Sequence, residues 1–434
     1  MKAGRAVATI AGLIAVLAAA PAAAKTYKVT QTGDPAPAAC NARCTLREAV
    51  IAANAHSGAD KVVLAKKTYK LSRIGEEDLA DSGDLDVTDS LSIVGRGPRD
   101  SAIAGAVPRD SADGMVTVLG DADLSLKKLE MTGAQGLDEG TALWFQSTGR
   151  LRVSNAAFIA NKSAYSAVQN EGPDAVFSRV VFRRNKASGC CPALYNSGEF
   201  AEIKLTDVVF DRNKAVDDTG AFYSDGAVAK LNRVTFSRNV AGDIGGGAMI
   251  PSGGVNQLNN VTFSGNRAKG SGGALYVEEE TELNNVTFFD NVADSDNSGG
   301  GDGGGIFISD GNTSLSNTIL AGNTDRSGEA DEFCTEGDAL LSQGHNLFGS
   351  GTTCPFVLST SDIALDSGGP GLEPLAANGG FAPSHALRKT SRAVNKGSGQ
   401  TPGSGADSCE KRDQRGVKRP QGNRCDIGAY ELKR

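Results

Sequence analysis

The chain has 434 residues, enough for two or three average domains or one elongated one. Glycine supplies 55 of them and proline only 14, with 39% hydrophobic and 22% charged residues, a balance too apolar for disorder and too glycine-rich for a helical bundle. Glycine does not recur every third residue, which excludes collagen, and the formal net charge of −7 disfavours nucleic acid as a partner.

At the N-terminus, Lys2 and Arg5 precede an apolar stretch over 6–20, and Ala22, Ala23 and Ala24 offer a small-residue cleavage site. This pattern predicts a secretory signal peptide over 1–24. The stretch is short for a bilayer span, and no later one reaches that length, so no transmembrane segment is expected in the mature chain. Cleavage removes two of 44 basic residues and no acidic ones, leaving 42 against 51, a net −9 over 410 residues.

All eight cysteines follow the signal, and in an exported chain an even number points to disulfides. Proximity alone suggests Cys40–Cys44, Cys190–Cys191, Cys334–Cys354 and Cys409–Cys425. Zinc is the competing use, but the spacings do not suit it and there are only three histidines.

Residues 25–95 read as an N-terminal cap and first coils. In C-T-L-R-E-A-V-I-A-A-N-A-H (44–56), Thr45 and Glu48 form a capping box. Leu46, Ala49, Val50 and Ala53 then fall on one face of a short helix over 45–55. Strands near 61–64 and 91–94 are expected to begin the solenoid.

Residues 96–330 carry the strongest signal, an internal repeat. The unit apolar-x-x-apolar-x-Phe-x-x-Asn appears as F-S-R-V-V-F-R-R-N (177–185), L-T-D-V-V-F-D-R-N (205–213) and L-N-R-V-T-F-S-R-N (231–239). It continues as L-N-N-V-T-F-S-G-N (258–266) and L-N-N-V-T-F-F-D-N (283–291), with weaker copies at 126, 153 and 315. From 126 to 315 there are seven spacings, averaging 27 residues. That period is too short for a propeller blade and lacks the leucine-rich pattern of a horseshoe. It suits a solenoid coil of three short strands, in which phenylalanines stack inside and asparagines form amide ladders.

A second element separates the units, as in T-A-L-W (141–144), P-A-L-Y (192–195), G-A-F-Y (220–223) and G-A-L-Y (273–276). Aligned on its Ala, with Ile306 in the last coil, the next column is Leu143, Val168, Leu194, Phe222, Met249, Leu275 and Phe307, predicted to face inward. Side chains alternate along a strand, so Trp144, Gln169, Tyr195, Tyr223, Ile250, Tyr276 and Ile308 are predicted to form an outward row with rungs ~4.8 Å apart. Trp144, Tyr195, Tyr223 and Tyr276 are the candidate ligand-binding residues, since aromatic faces pack on sugar faces while hydroxyls reach sugar hydroxyls. In the longest repeat, Asp294, Asp296, Asn297 and Asp302 surround a glycine-rich insertion. They are a candidate Ca2+ site, although they match neither an EF-hand nor the glycine-rich nonapeptide pattern; no other cofactor is indicated. Residues 331–434 read as C-terminal coils and a loop-rich cap.

C-T-L-R-E-A with A-A-N (44–54) and G-D-L-D-V (83–87) resembles the Cys-Ser-Leu-Arg-Glu-Ala region that opens many exported bacterial right-handed β-helix proteins, with Thr45 in place of Ser. Q-G-H-N-L-F (343–348), P-L-A-A-N-G-G (374–380), H-A-L (385–387), D-Q-R-G (413–416) and C-D-I-G-A-Y-E-L (425–432) resemble the choice-of-anchor Q region. The paired F-x-x-N and G-G-A-apolar elements are similar to repeats of chlamydial polymorphic outer membrane proteins. The resemblance implies an all-β, right-handed parallel β-helix, secreted, periplasmic or at the cell surface of a bacterium. It implies no activity. Relatives often carry an anchoring segment after the tail; here Arg434 follows Leu432 by two residues, which favours a free secreted or periplasmic protein.

Enzymatic constellations fit poorly. D-S-G-G-P (366–370) and His56 would have to meet across the whole solenoid to form a serine-protease site. β-Helix enzymes of the pectin-lyase-like type act mainly on acidic polysaccharides, and N-T-D (323–325) and D-D (217–218) belong to a polygalacturonase motif set, here in reversed order. Asp218 and Asp325 fall about four coils apart, roughly 19 Å, against the ~6.5–9.5 Å an inverting pair needs. E-E-E-T-E (278–282) reads as a solvated strand edge. The expected function is a non-enzymatic β-helix that binds a polysaccharide or cell-surface glycan or mediates adhesion; the alternative is a polysaccharide lyase or glycoside hydrolase acting on an acidic polysaccharide.

Overall fold

The computed structural model describes residues 23–433 except 76–77, 106–113, 137–141, 199–201, 227, 252–253, 328–331, 337–339, 351–353, 355 and 406. Residues 1–22 of the signal-peptide segment, and Thr141 of the first short element, lie outside the described residues.

Each coil builds its own strands, and every strand pairs in parallel with the same strand of the next coil. One sheet contains ten short strands, from Leu85–Val87 to Phe333–Thr335, so the solenoid has ten turns there. A longer sheet carries the repeat units. Its central strands, Arg150–Ile159, Asp174–Arg183, Glu202–Asp211 and Val228–Ser237, lie in continuous register. Each bends at a residue with positive φ, namely Asn155, Arg179, Asp207 and Arg233. Asn and Asp adopt this left-handed geometry readily, Arg less so.

The repeat residues fill the interior. Phe158, Phe182, Phe210, Phe236, Phe263 and Phe288 are buried and stacked, with ring centroids 5.1, 4.9, 4.7, 4.7 and 4.7 Å apart. The repeat asparagines, from Asn161 to Asn323, are buried and form a continuous ladder. Asn213 Nδ2 donates to Asn239 Oδ1 at 2.9 Å, Asn239 Nδ2 to Asn266 Oδ1 at 2.9 Å, and each Nδ2 also donates to the Phe carbonyl of the preceding coil. The ladder ends on Glu332, whose carboxylate accepts from Asn323 Nδ2 at 2.8 Å and Gly322 N at 2.7 Å.

The helix Leu46–Asn54 covers the N-terminal end, with Thr45 as N-cap and a complete capping box to Glu48. Leu46, Ala49, Val50 and Ala53 are its buried face. Arg47 ties two segments distant in sequence to each other. Its guanidinium binds Asp34 and donates to the carbonyls of Ala80, Ser82, Gly83 and Asp84. The solenoid begins earlier than the sequence suggests, because Thr26–Lys28 pairs in parallel with Asp60–Val63.

The C-terminal part differs from a simple cap. Phe356 packs against Phe333 and Phe348, at 5.1 and 4.8 Å, at the last coils. Beyond Ile363–Ala364 the chain runs back along the flank of the long sheet. Gln414 Nε2 donates to the Val234 carbonyl at 3.0 Å and to Thr235 Oγ1 at 2.7 Å, and its Oε1 accepts from Thr262. His385 bridges the Glu373 carbonyl and Ser264 Oγ. Buried Arg419 pairs with Glu431, and Ala429 N donates to Thr287 Oγ1. Small hydroxyl residues on the outward positions of these coils leave room for this covering.

Candidate functional site

The ten-stranded sheet presents the aromatic row. Trp144 aligns with Gln169, Gln169 with Tyr195 and Tyr195 with Tyr223. The row then continues through Met249, Tyr276, Phe307 and Cys334, not through Ile250 and Ile308. Ile250 and Ile308 are fully buried and face the interior. The extra glycines explain the one-residue shift. Gly247 and Gly305 occupy the position of the aligned alanines, which moves Ala248 and Ile306 into the inward column. A Cβ at Gly247 would meet the Ala274 carbonyl at 2.7 Å, so only the smallest residues fit where successive coils approach so closely.

Trp144, Tyr195, Tyr223 and Tyr276 are half-buried, whereas Gln169, Met249 and Phe307 are buried within the row. Tyr195 and Tyr223 lie with ring centroids 5.4 Å apart, and Tyr276 and Phe307 lie 5.3 Å apart. Cys334, at the end of the row, is bridged to Cys354. The remaining cysteines are paired Cys40–Cys44, Cys190–Cys191 and Cys409–Cys425.

A second outward column lies two residues further along each strand. It contains Glu171, Ser197, Asp225, Glu278, Ser309 and Glu336, held in step by backbone bonds such as Asp225 N to the Asn196 carbonyl and Glu278 N to the Ile250 carbonyl. Glu171 accepts from Trp144 Nε1 and from Gln169 Nε2, both at 2.8 Å. Burial pushes the Tyr223 hydroxyl up, followed by the charge of Asp225. Burial and then Asp310 raise Glu278, and burial followed by Asp243 and Asp217 raises Asp218, in the turn before the strand that carries Tyr223. The row is therefore an aromatic track in a negative field. It offers flat ring faces and hydrogen-bond acceptors, and it repels carboxylates. The alternation that exposes the tyrosines also exposes these acidic residues, so the signal was present in sequence. The Glu278–Glu282 stretch is not an edge: Glu282 lies on Thr281–Asn284, paired on both sides by Asn256–Asn259 and Thr313–Ser316.

The other candidate residues do not converge. Asp294 is buried, and its carboxylate accepts from Ser298 N, Ser298 Oγ and Gly299 N, so it builds the turn. Asp296 faces Lys269 at 3.8 Å, and the Asp302 amide is held by Ser271 Oγ. Among the described residues no three His, Cys, Asp or Glu side chains are placed to hold a metal ion. Asp325 accepts from Ser327 on a strand four coils beyond the Asp217–Asp218 turn, so Asp218 and Asp325 share no site. His56 binds Asp60 near the N-terminal helix, while Ser367 sits in an exposed bend beyond the last strand.

Among the described residues no helix is long and apolar enough to cross a membrane. Residues 260–278 match the Chlamydia polymorphic membrane protein repeat. The fold is similar to that in the crystal structure of pectate lyase Pel9A, at 14% identity and a TM-score of 0.46, over 95% of this chain and 97% of that one. No curated protein matches the sequence. The chain is a parallel β-solenoid, and one stretch of it, residues 260–278, is similar to the polymorphic membrane protein repeat.

Proposed function

We propose that this is an exported β-helix protein that binds an uncharged or amine-bearing glycan along Trp144, Tyr195, Tyr223 and Tyr276, without catalysis. The observation that carries the proposal is the in-register aromatic row beside Glu171, Asp225, Glu278 and Glu336. Rings on coils ~4.8 Å apart, with Gln169 and Met249 filling the coils between them, can follow several sugar units of an extended chain, and the carboxylates accept bonds from sugar hydroxyls. Their charge opposes a polyuronate on this face. Four disulfides and the Lys2–Ala24 leader pattern support an extracytoplasmic location, secreted, periplasmic or surface-bound. The reading invokes no cofactor.

Calorimetric titration of the full chain with cello- and chito-oligosaccharides tests it, beside a Tyr195→Ala, Tyr223→Ala, Tyr276→Ala variant. The variant is expected to remain folded by circular dichroism and to lose binding by tenfold or more, about 1.4 kcal/mol. Unchanged affinity in the folded variant contradicts the proposal. So does the release of reducing ends or unsaturated products by the purified protein, which assigns catalysis instead.

A further inference from the structure

One corner of the solenoid reverses the charge of the molecule. Lys162, Lys186 and Lys214 align coil upon coil, and the column continues through Val240 to Arg267. Immediately before the asparagine ladder, Arg184, Arg212 and Arg238 repeat at a second left-handed corner. Arg183 precedes them in the column that also holds Asp211. These three columns place eight cations between residues 159 and 267 against one carboxylate, on a chain whose net charge is −7.

Asp211 is buried and shared. It accepts from Arg183 Nε at 3.2 Å, from Arg212 Nη1 at 3.4 Å and from Arg238 Nη2 at 2.6 Å. One negative charge thus orients three guanidiniums and leaves most of their donors facing solvent. Lys162, Arg184, Lys186, Lys214 and Arg267 are exposed and form no ion pair among the described residues. Like charges directly opposite in a ladder destabilise it, so a row of this kind is a cost to the fold unless a counter-charge neutralises it. A groove of about 300 Å³ lies beside the lysines, lined by Ser163, Ser188 and Val216 among others.

We infer that this corner binds a linear anionic polysaccharide, with carboxylate or sulfate groups meeting the Lys162–Lys186–Lys214 row and the Arg183–Arg212–Arg238 cluster. The row is straight and steps ~4.8 Å per coil, which suits an extended polymer lying along the solenoid axis. It carries no aromatic residue among its cations, so it lacks the stacking platforms that hold single-stranded nucleic acid. The inference does not depend on the aromatic row, which is built from different strands and has the opposite charge.

The test is binding of the full chain to polygalacturonate, dextran sulfate and uncharged dextran at low and moderate salt. It is repeated with a Lys162→Gln, Lys186→Gln, Lys214→Gln variant and with the triple tyrosine variant. The expected result is salt-sensitive binding to at least one of the two polyanions and none to dextran. The lysine variant, folded by circular dichroism, is expected to weaken that binding about tenfold or more and to lower the salt slope by about one per lysine removed. The tyrosine variant is expected to bind the polyanion normally. No polyanion binding at low salt, or equal binding by the lysine variant, overturns the inference. Tighter binding of oligodeoxythymidylate, or of anionic phospholipid vesicles, than of either polysaccharide overturns the assignment to a saccharide.

Discussion

The asparagine ladder makes a quantitative prediction for Asn239→Ala. The side chain takes part in four hydrogen bonds. Its Oδ1 accepts from Asn213 N at 3.0 Å and Asn213 Nδ2 at 2.9 Å, and its Nδ2 donates to Asn266 Oδ1 at 2.9 Å and the Phe210 carbonyl at 3.1 Å. Truncation strands three buried groups: two donors on Asn213 and the Phe210 carbonyl. Asn266 Oδ1 keeps the Asn239 backbone amide. At ~1–3 kcal/mol per unpaired buried group, the loss is about 3 kcal/mol or more. Asn161→Ala, at the start of the ladder, strands only the Ala134 amide and the Met131 carbonyl, so it is expected to cost less. Urea unfolding followed by far-UV circular dichroism provides the assay. In a solenoid stability is carried by neighbouring coils, so weakening an interior rung is also expected to broaden or split the transition. A midpoint unchanged for Asn239→Ala, or a smaller effect there than at Asn161, refutes the reasoning.

Three further outcomes follow from the ends and flank of the solenoid. Burial opposes the charge of Asp34, but bonds from Arg47, Arg73 and Ser72 outweigh it and hold its carboxyl below the usual range. Its stabilising contribution is therefore complete above the unfolded value of about 3.9 and is lost as pH falls through the lower folded value. Hydrogen exchange is expected to show the N-terminal cap opening first below about pH 4, and Asp34→Asn to flatten that dependence. Gln414→Ala removes the bonds to Val234, Thr235 and Thr262, at a cost of about 2–3 kcal/mol, and is expected to admit protease to residues 366–433 while leaving the strand signal in place. Cys409–Cys425 closes a loop with a sequence separation of 16, a constraint of about 3 kcal/mol, so reduction is expected to free the tail from the flank before the coils unwind; simultaneous loss of both contradicts this.

The repeat was legible because its period leaves a mark at every coil. Phenylalanine and asparagine recur at fixed offsets, and parallel stacking turns each recurrence into a column. The aromatic row was legible for the same reason, but its register slipped where Gly245, Gly246 and Gly247 offered two alignments of one alanine. Only backbone approach between coils distinguishes Gly247 from Ala248 as the member of the small column. Glu332 closing the asparagine ladder carries no repeat signal, since it stands in the column of Gly305 and only its side chain reaches Asn323. The path of the tail was illegible because it depends on single long-range contacts, such as Gln414 to Thr235 and His385 to Ser264, separated by more than a hundred residues. The basic corner is not legible as a run in the sequence, because its cations belong to three different columns that only the stacking of coils brings together.

Trp144 is the only tryptophan in the chain and lies in the aromatic row, with its Nε1 held by Glu171. Its fluorescence therefore reports the proposed glycan track directly. The decisive measurement is a titration of Trp144 emission with cello- and chito-oligosaccharides of increasing length, with oligogalacturonate as comparison. The account predicts a saturable change whose affinity rises with length up to several sugars, and none with oligogalacturonate at the same site. No change with any uncharged or amine-bearing oligosaccharide, or a change with oligogalacturonate alone, would contradict it.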